Sequence, residues 1–178
     1  MTEDAQQLYK RALLEMRKQR WPAAIKFLNS NLAVAQKDWR FPWNLGWCYF
    51  KLGEFNEARK HMIRAAGLAP ENATCKCGLG ITYLETKHFK KAEVVLTESL
   101  RIKESHLTRI SLAFAYLAQG KIAEAEKIHL QGIRLQPENG ERYDSYAAFL
   151  SDVGRETEAR RMSIKAKQLS RGKFIRNL

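Results

Sequence analysis

Chain breakers are scarce here: 178 residues hold four prolines and ten glycines. So few leave little room for long irregular connections and favour closely linked regular elements. Cysteine is scarce too. Cys48, Cys75 and Cys77 form an odd set, and the last two are too close in sequence to bridge easily. That excludes a closed disulfide framework, and reduced thiols are expected. No further ligands stand near Cys75 at metal-binding spacing, so no metal site is expected. No apolar run reaches the roughly 20 residues of a membrane-spanning helix. Met1-Thr2-Glu3-Asp4 is polar and acidic; no secretory signal shows, and a cytoplasmic location is expected. Catalytic patterns are missing as well. Gly120-Lys121 lacks the glycine spacing of a phosphate loop. His61, His88, His106 and His129 occur singly, as surface or inter-helix residues. No nucleophile elbow is present. Neither an enzyme nor a bound cofactor is expected.

What the chain does have is apolar content and helix formers. Hydrophobic residues make up 45% of it, enough for a packed core. Alanine, leucine, lysine, arginine, glutamate and glutamine are frequent, and all favour helix. These residues repeat. Ala24, Ala58, Ala92, Ala125 and Ala159 are spaced by 34, 34, 33 and 34 positions. Leu45, Leu79, Leu112 and Tyr146 recur with the same period, as do Tyr49, Tyr83, Tyr116 and Leu150. Gly53, Gly120 and Gly154 precede three of the alanine phrases, while Pro70 and Pro137 end two units. Each unit therefore reads as two antiparallel helices. In the second unit these fall at about 39–52 and 56–68, with Gly53 supplying the left-handed residue that ends the first helix. The alanine is small because two helices cross closely there.

The 34-residue period, Leu45-Gly46-Trp47-Cys48-Tyr49, Ala58 and Pro70 together resemble the tetratricopeptide repeat. Residues 73–105 match through Leu79-Gly80-Ile81-Thr82-Tyr83 and Ala92, and residues 106–139 through Leu112-Ala113, Tyr116, Ala125 and Pro137. The outer units, 5–38 and 140–173, are weaker, as terminal repeats often are. The resemblance implies an all-α, right-handed superhelical solenoid of five antiparallel helix pairs. It would form one array over 1–178, with repeats at 5–38, 39–72, 73–105, 106–139 and 140–173 and a short basic tail at 174–178.

It also implies that the first helix of each pair lines a concave groove. The expected partner-binding residues are then Tyr9 and Leu13; Arg40, Trp43, Asn44, Trp47 and Phe50; Cys77 and Ile81; and Ile110 and Phe114. Trp39, Trp43 and Trp47 recur every four residues and form one stripe. An exposed aromatic stripe marks a contact surface, whereas a packed one is core. Both readings stand open for Trp43 and Trp47. Asn44 occupies the place of an asparagine in carboxylate-clamp repeats, but Tyr9, Leu13, Thr74 and Cys77 do not match that clamp. In the fifth unit Glu141, Asp144 and Asp152 form an acidic lip.

Net charge is +12, and residues 155–178 alone hold eight Lys/Arg against two Glu, or +6. Arg160, Arg161, Lys165, Lys167, Arg171, Lys173 and Arg176 make a basic patch. It reads either as a solvated cap or as a contact for an acidic partner or anionic surface. Phe174 is the sole aromatic there, so sequence-specific nucleic-acid readout is not expected. The expected function is that of a bacterial, cytoplasmic adaptor or chaperone. It would bind a protein or peptide with apolar anchors. The alternatives are a scaffold that self-assembles through groove and tail, or a module drawn to nucleic acid or an anionic surface by its basic end.

Overall fold

The computed structural model describes residues 3–30 and 37–176. All regular structure among them is α-helical. Packing groups the helices into two units, Met1–Lys103 and Glu104–Leu178. In the first lie α1 (Glu3–Arg17), α2 (Trp21–Asn29), α3 (Arg40–Lys51), α4 (Phe55–Leu68), α5 (Ala73–Glu85) and α6 (Phe89–Ile102). In the second lie α7 (His106–Leu117), α8 (Ile122–Leu135), α9 (Gly140–Asp152) and α10 (Glu156–Arg176). The helices expected at 39–52 and 56–68 are α3 and α4. No described helix is long and apolar enough to cross a membrane.

Local chemistry sets the helix ends. The Asn72 side chain accepts from the Thr74 and Cys75 amides at 2.9 and 3.1 Å, and that of Asn139 accepts from Glu141 N at 3.1 Å. Each satisfies donors that a helix start leaves open. The turn inside each pair needs one left-handed residue. Gly53, Gly120 and Gly154 supply it at φ of 78°, 73° and 78°. At the same place in the other two pairs stand Gln19 and Lys87, at φ of 57° and 58°. A side chain there is strained. Lys87→Gly is therefore expected to stabilise the chain by up to about 1 kcal/mol, offset in part by the freer unfolded backbone. Its urea midpoint against wild type measures this.

The repeat period decides which side chains are buried. The five alanines of the repeat are all 6% exposed or less. They sit where paired helices meet. Leu28, Met62, Leu96 and His129 share a second register and are all buried. In the first unit Ala12, Leu28, Phe41, Leu45 and Cys48 form one core cluster. In the second, Ala113, Ala125, Tyr146, Phe149 and Leu150 form another. The three cysteines are buried, and none forms a disulfide among the described residues. Burial pushes Cys48 up to about 12 and Cys75 up to about 11, which leaves little thiolate for chemistry at neutral pH.

Candidate functional site

Helix α3 carries the aromatic stripe, and its rings stack on one another. The Trp43 and Trp47 centroids are 6.0 Å apart at an interplanar angle of 7°, and those of Trp47 and Phe50 are 5.6 Å apart at 1°. Phe55, at the start of α4, meets Phe50 edge-on at 5.3 Å. Lys51 places its ammonium 4.7 Å from the Trp47 ring centre, a cation–π contact. Trp43, Trp47 and Phe50 are all half-buried. They are neither core nor open surface. Trp43 is the most anchored: its Nε1 is buried with no hydrogen-bond partner among the described residues, and a Cβ at Gly78 on α5 would come within 3.2 Å of it.

Two residues expected in the groove are not surface. Asn44 is 5% exposed and Cys77 8%. Asn44 donates from Nδ2 to the Tyr9 hydroxyl at 2.8 Å, so its amide serves helix packing between α1 and α3 rather than a ligand. The other positions keep some surface. Tyr9, Leu13, Ile81 and Ile110 are half-buried, and Phe114 is 53% exposed. Arg40 is exposed, but its guanidinium is held by Asp38, with Nε to Oδ1 at 2.9 Å. It also lies 5.9 Å from the Tyr9 ring centre.

In the second unit α7 and α9 border a cleft of about 290 Å³. Ile110, Phe114 and Leu117 line it from α7, Ala148, Phe149 and Asp152 from α9, and His129 reaches it from α8. Of the basic patch, Arg160, Arg161, Lys165 and Lys167 are exposed around Ile164, itself 58% exposed. The side chains of Arg171, Lys173 and Arg176 lie outside the described residues, although α10 runs on to Arg176.

Sequence reasoning missed two buried arginines held by an exposed carboxylate in the second unit. Arg109 and Arg142 are only 7% and 4% exposed. Glu104 accepts from Arg109 at 3.0 and 2.6 Å and lies 3.7 Å from Arg142. Arg142 also contacts His106 Nδ1 at 2.8 Å and donates to Gln136 Oε1 at 3.0 Å. The repeat register held the signal, because Arg142 falls in step with Phe41, Cys75 and Thr108, all buried.

Residues 42–105 match the family model described as tetratricopeptide repeat. That stretch of the chain consists of tetratricopeptide repeats. Among solved structures, MamA 41-end from Desulfovibrio magneticus RS-1 superposes with a TM-score of 0.82 at 17% identity, over 97% of this chain and 98% of that one. MamA MSR-1 C2 gives 0.73 at 20%, over 95% and 98%. At such identities the likeness establishes the fold, a helical-repeat solenoid. Mouse (Mus musculus) BBS4, a BBSome complex member, is 32% identical over 92 residues, 52% of this repeat chain and 18% of that protein. Human (Homo sapiens) protein O-mannosyl-transferase TMTC2 is 30% identical over 128 residues, 64% and 15%. The chain thus spans less than a fifth of the length of these curated relatives.

Proposed function

We propose that this repeat protein is a non-catalytic interaction scaffold that holds an apolar segment of another polypeptide against the first helices of its pairs. In the first unit the contact centres on Trp47 and Phe50. One observation carries this reading: the near-parallel, half-buried stack of Trp43, Trp47 and Phe50. Core packing does not consume these rings, and their mutual contact holds them rigid. A preordered aromatic surface loses little conformational freedom on binding and suits the residue types that dominate binding energy. The name of BBS4 as a member of a complex accords with such a role.

The test uses peptides selected by display against the whole chain. Binders with aliphatic or aromatic anchors are expected. Trp47→Ala with Phe50→Ala is expected to weaken them by about 2 kcal/mol, roughly thirtyfold, with the helical circular dichroism unchanged. Trp43 is left intact because it is wedged against α5. Unchanged affinity in that variant would refute the assignment.

The last helix supports a second, electrostatic contact. Four exposed cations surround an exposed isoleucine on α10, and an anionic partner bound there would be released steeply by salt.

A further inference from the structure

The second unit carries an interaction surface of different chemistry. The face of α7 bordering the cleft is wholly apolar: Leu107, Ile110, Phe114 and Leu117 recur at helical spacing, with Leu107 and Phe114 each 53% exposed. The one charged side chain of α7 beyond His106, Arg109, is buried on the other side. The facing stripe of α9 is acidic. Glu141, Asp144, Ala148 and Asp152 fall on one face by helical periodicity, and all four are exposed. Among the described residues neither Asp144 nor Asp152 takes part in an ion pair. In a chain with 31 Lys/Arg and a net charge of +12, the described residues that line this apolar cleft thus include Asp152 and no lysine or arginine, with Asp144 about two turns back along α9.

From this complementarity we infer that the α7–α9 cleft binds a cationic amphipathic helix of another protein. This deepens the scaffold reading and rests on it. An aliphatic or methionine side chain fills the cleft against Phe114, Ile110 and Phe149. Lysine or arginine one turn to either side reaches Asp144 and Asp152. Those two carboxylates are eight residues apart, or about 12 Å along α9. The partner's cations therefore stand about two turns apart, with the anchor midway between them opposite Ala148.

The net charge of the chain makes the test sharp. The long-range field of a +12 protein favours an acidic peptide, and only a local acidic face reverses that preference once salt limits the field to about 8 Å. Two labelled synthetic peptides would be compared by fluorescence anisotropy in physiological salt. One has leucine anchors with lysine one turn to each side, and the other has glutamate in place of each lysine. The lysine peptide is expected to bind the whole chain about tenfold tighter. Asp144→Lys with Asp152→Lys, both at exposed positions, is expected to reverse the order. Equal affinities, tighter binding of the glutamate peptide, or failure of either to bind would overturn the inference. So would an unchanged preference in the double variant. If the lysine peptide is lost instead with Trp47→Ala and Phe50→Ala, it sits on α3. The cleft assignment then fails while the scaffold reading stands. Concentration-dependent self-association that disappears in the aspartate variant would give the cleft to a second copy and equally overturn the inference.

Discussion

Gly80→Ala is expected to destabilise the first unit by about 2 kcal/mol, although the same change in most helices stabilises. Gly80 lies in the middle of α5, where alanine alone would gain about 1 kcal/mol of helix propensity. The space is taken. A Cβ there would stand 2.4 Å from Leu96 Cγ and 2.5 Å from its Cδ2. Leu96 is 0% exposed and cannot swing away, so α5 and α6 must separate or strain. Gly67 near the end of α4 is the matching control. Among the described residues nothing lies within 4 Å of a Cβ there, and its backbone is not left-handed, so Gly67→Ala is expected to gain about 0.5–1 kcal/mol. Gly46→Ala falls between the two, because its Cβ would meet Met62 Cγ at 3.0 Å and the Ala58 carbonyl oxygen at 3.2 Å, closer than Gly67 and less closely than Gly80. Urea midpoints of the three variants rank them. The mechanism also predicts coupling: Leu96→Ala alone costs about 2–5 kcal/mol. Combined with Gly80→Ala, it costs less than the sum, because each relieves the other. Additive costs would mean that the helices are not in contact through this pair.

The same register explains what could be read from the sequence. Ala12, Gly46, Gly80, Ala113 and Ala147 repeat at one position, and all are buried. A small residue at fixed spacing reports a helix crossing without any structure. The helix pairs and the three glycine turns were legible for that reason, and the aromatic stripe on α3 was legible from its four-residue spacing. Facing directions within a helix were not. Asn44 and Cys77 sit on first helices, and both are covered by neighbouring helices. Polarity misled for Asn44, because its amide is satisfied by Tyr9, 35 positions away. Arg142 was missed for the mirror reason: it is an ionisable side chain at a repeat position that elsewhere holds Phe41. His129, read as a surface or inter-helix residue, is the latter, in register with Leu96. Gln19 and Lys87 hide two of the five turns, since neither residue type announces a left-handed conformation. The acidic stripe of α9 was visible as a lip. The cleft beside it depends on the packing of three helices, which no spacing encodes.

Acid is expected to destabilise the second unit well before carboxylates titrate. His129 is 7% exposed, with ring centroids 5.9 Å from Tyr146 and 5.1 Å from Phe149. Burial, with smaller effects of His106 and Arg109, pushes its pKa down to about 4; Glu126 opposes weakly. His106 is also lowered, first by burial and then by Arg142. In the folded chain both rings therefore stay neutral at pH values where the unfolded chain protonates them. The unfolded state binds more protons below about pH 6.5, so stability falls with pH from there. For His129 the loss is complete near pH 4 and amounts to about 3 kcal/mol. The four tryptophans, Trp21, Trp39, Trp43 and Trp47, all lie in the first unit, so their emission follows that unit alone, whereas far-ultraviolet circular dichroism follows both. Urea titrations at pH 7.5, 5.5 and 4.5 are expected to show the dichroism midpoint falling with acid. His129→Leu places at this position the residue found in register at Leu28 and Leu96, and it is expected to flatten most of that slope while preserving helicity. An equally steep slope in the variant would show that His129 is not the group that titrates. The same titration bears on the α7–α9 cleft, because His129 forms part of its wall. In the folded chain its ring stays neutral down to about pH 4, so it adds no charge to the cleft at pH 7.5 or 5.5. Affinity for the lysine peptide is therefore expected to be the same at those two values, in wild type and in His129→Leu alike, even as stability falls.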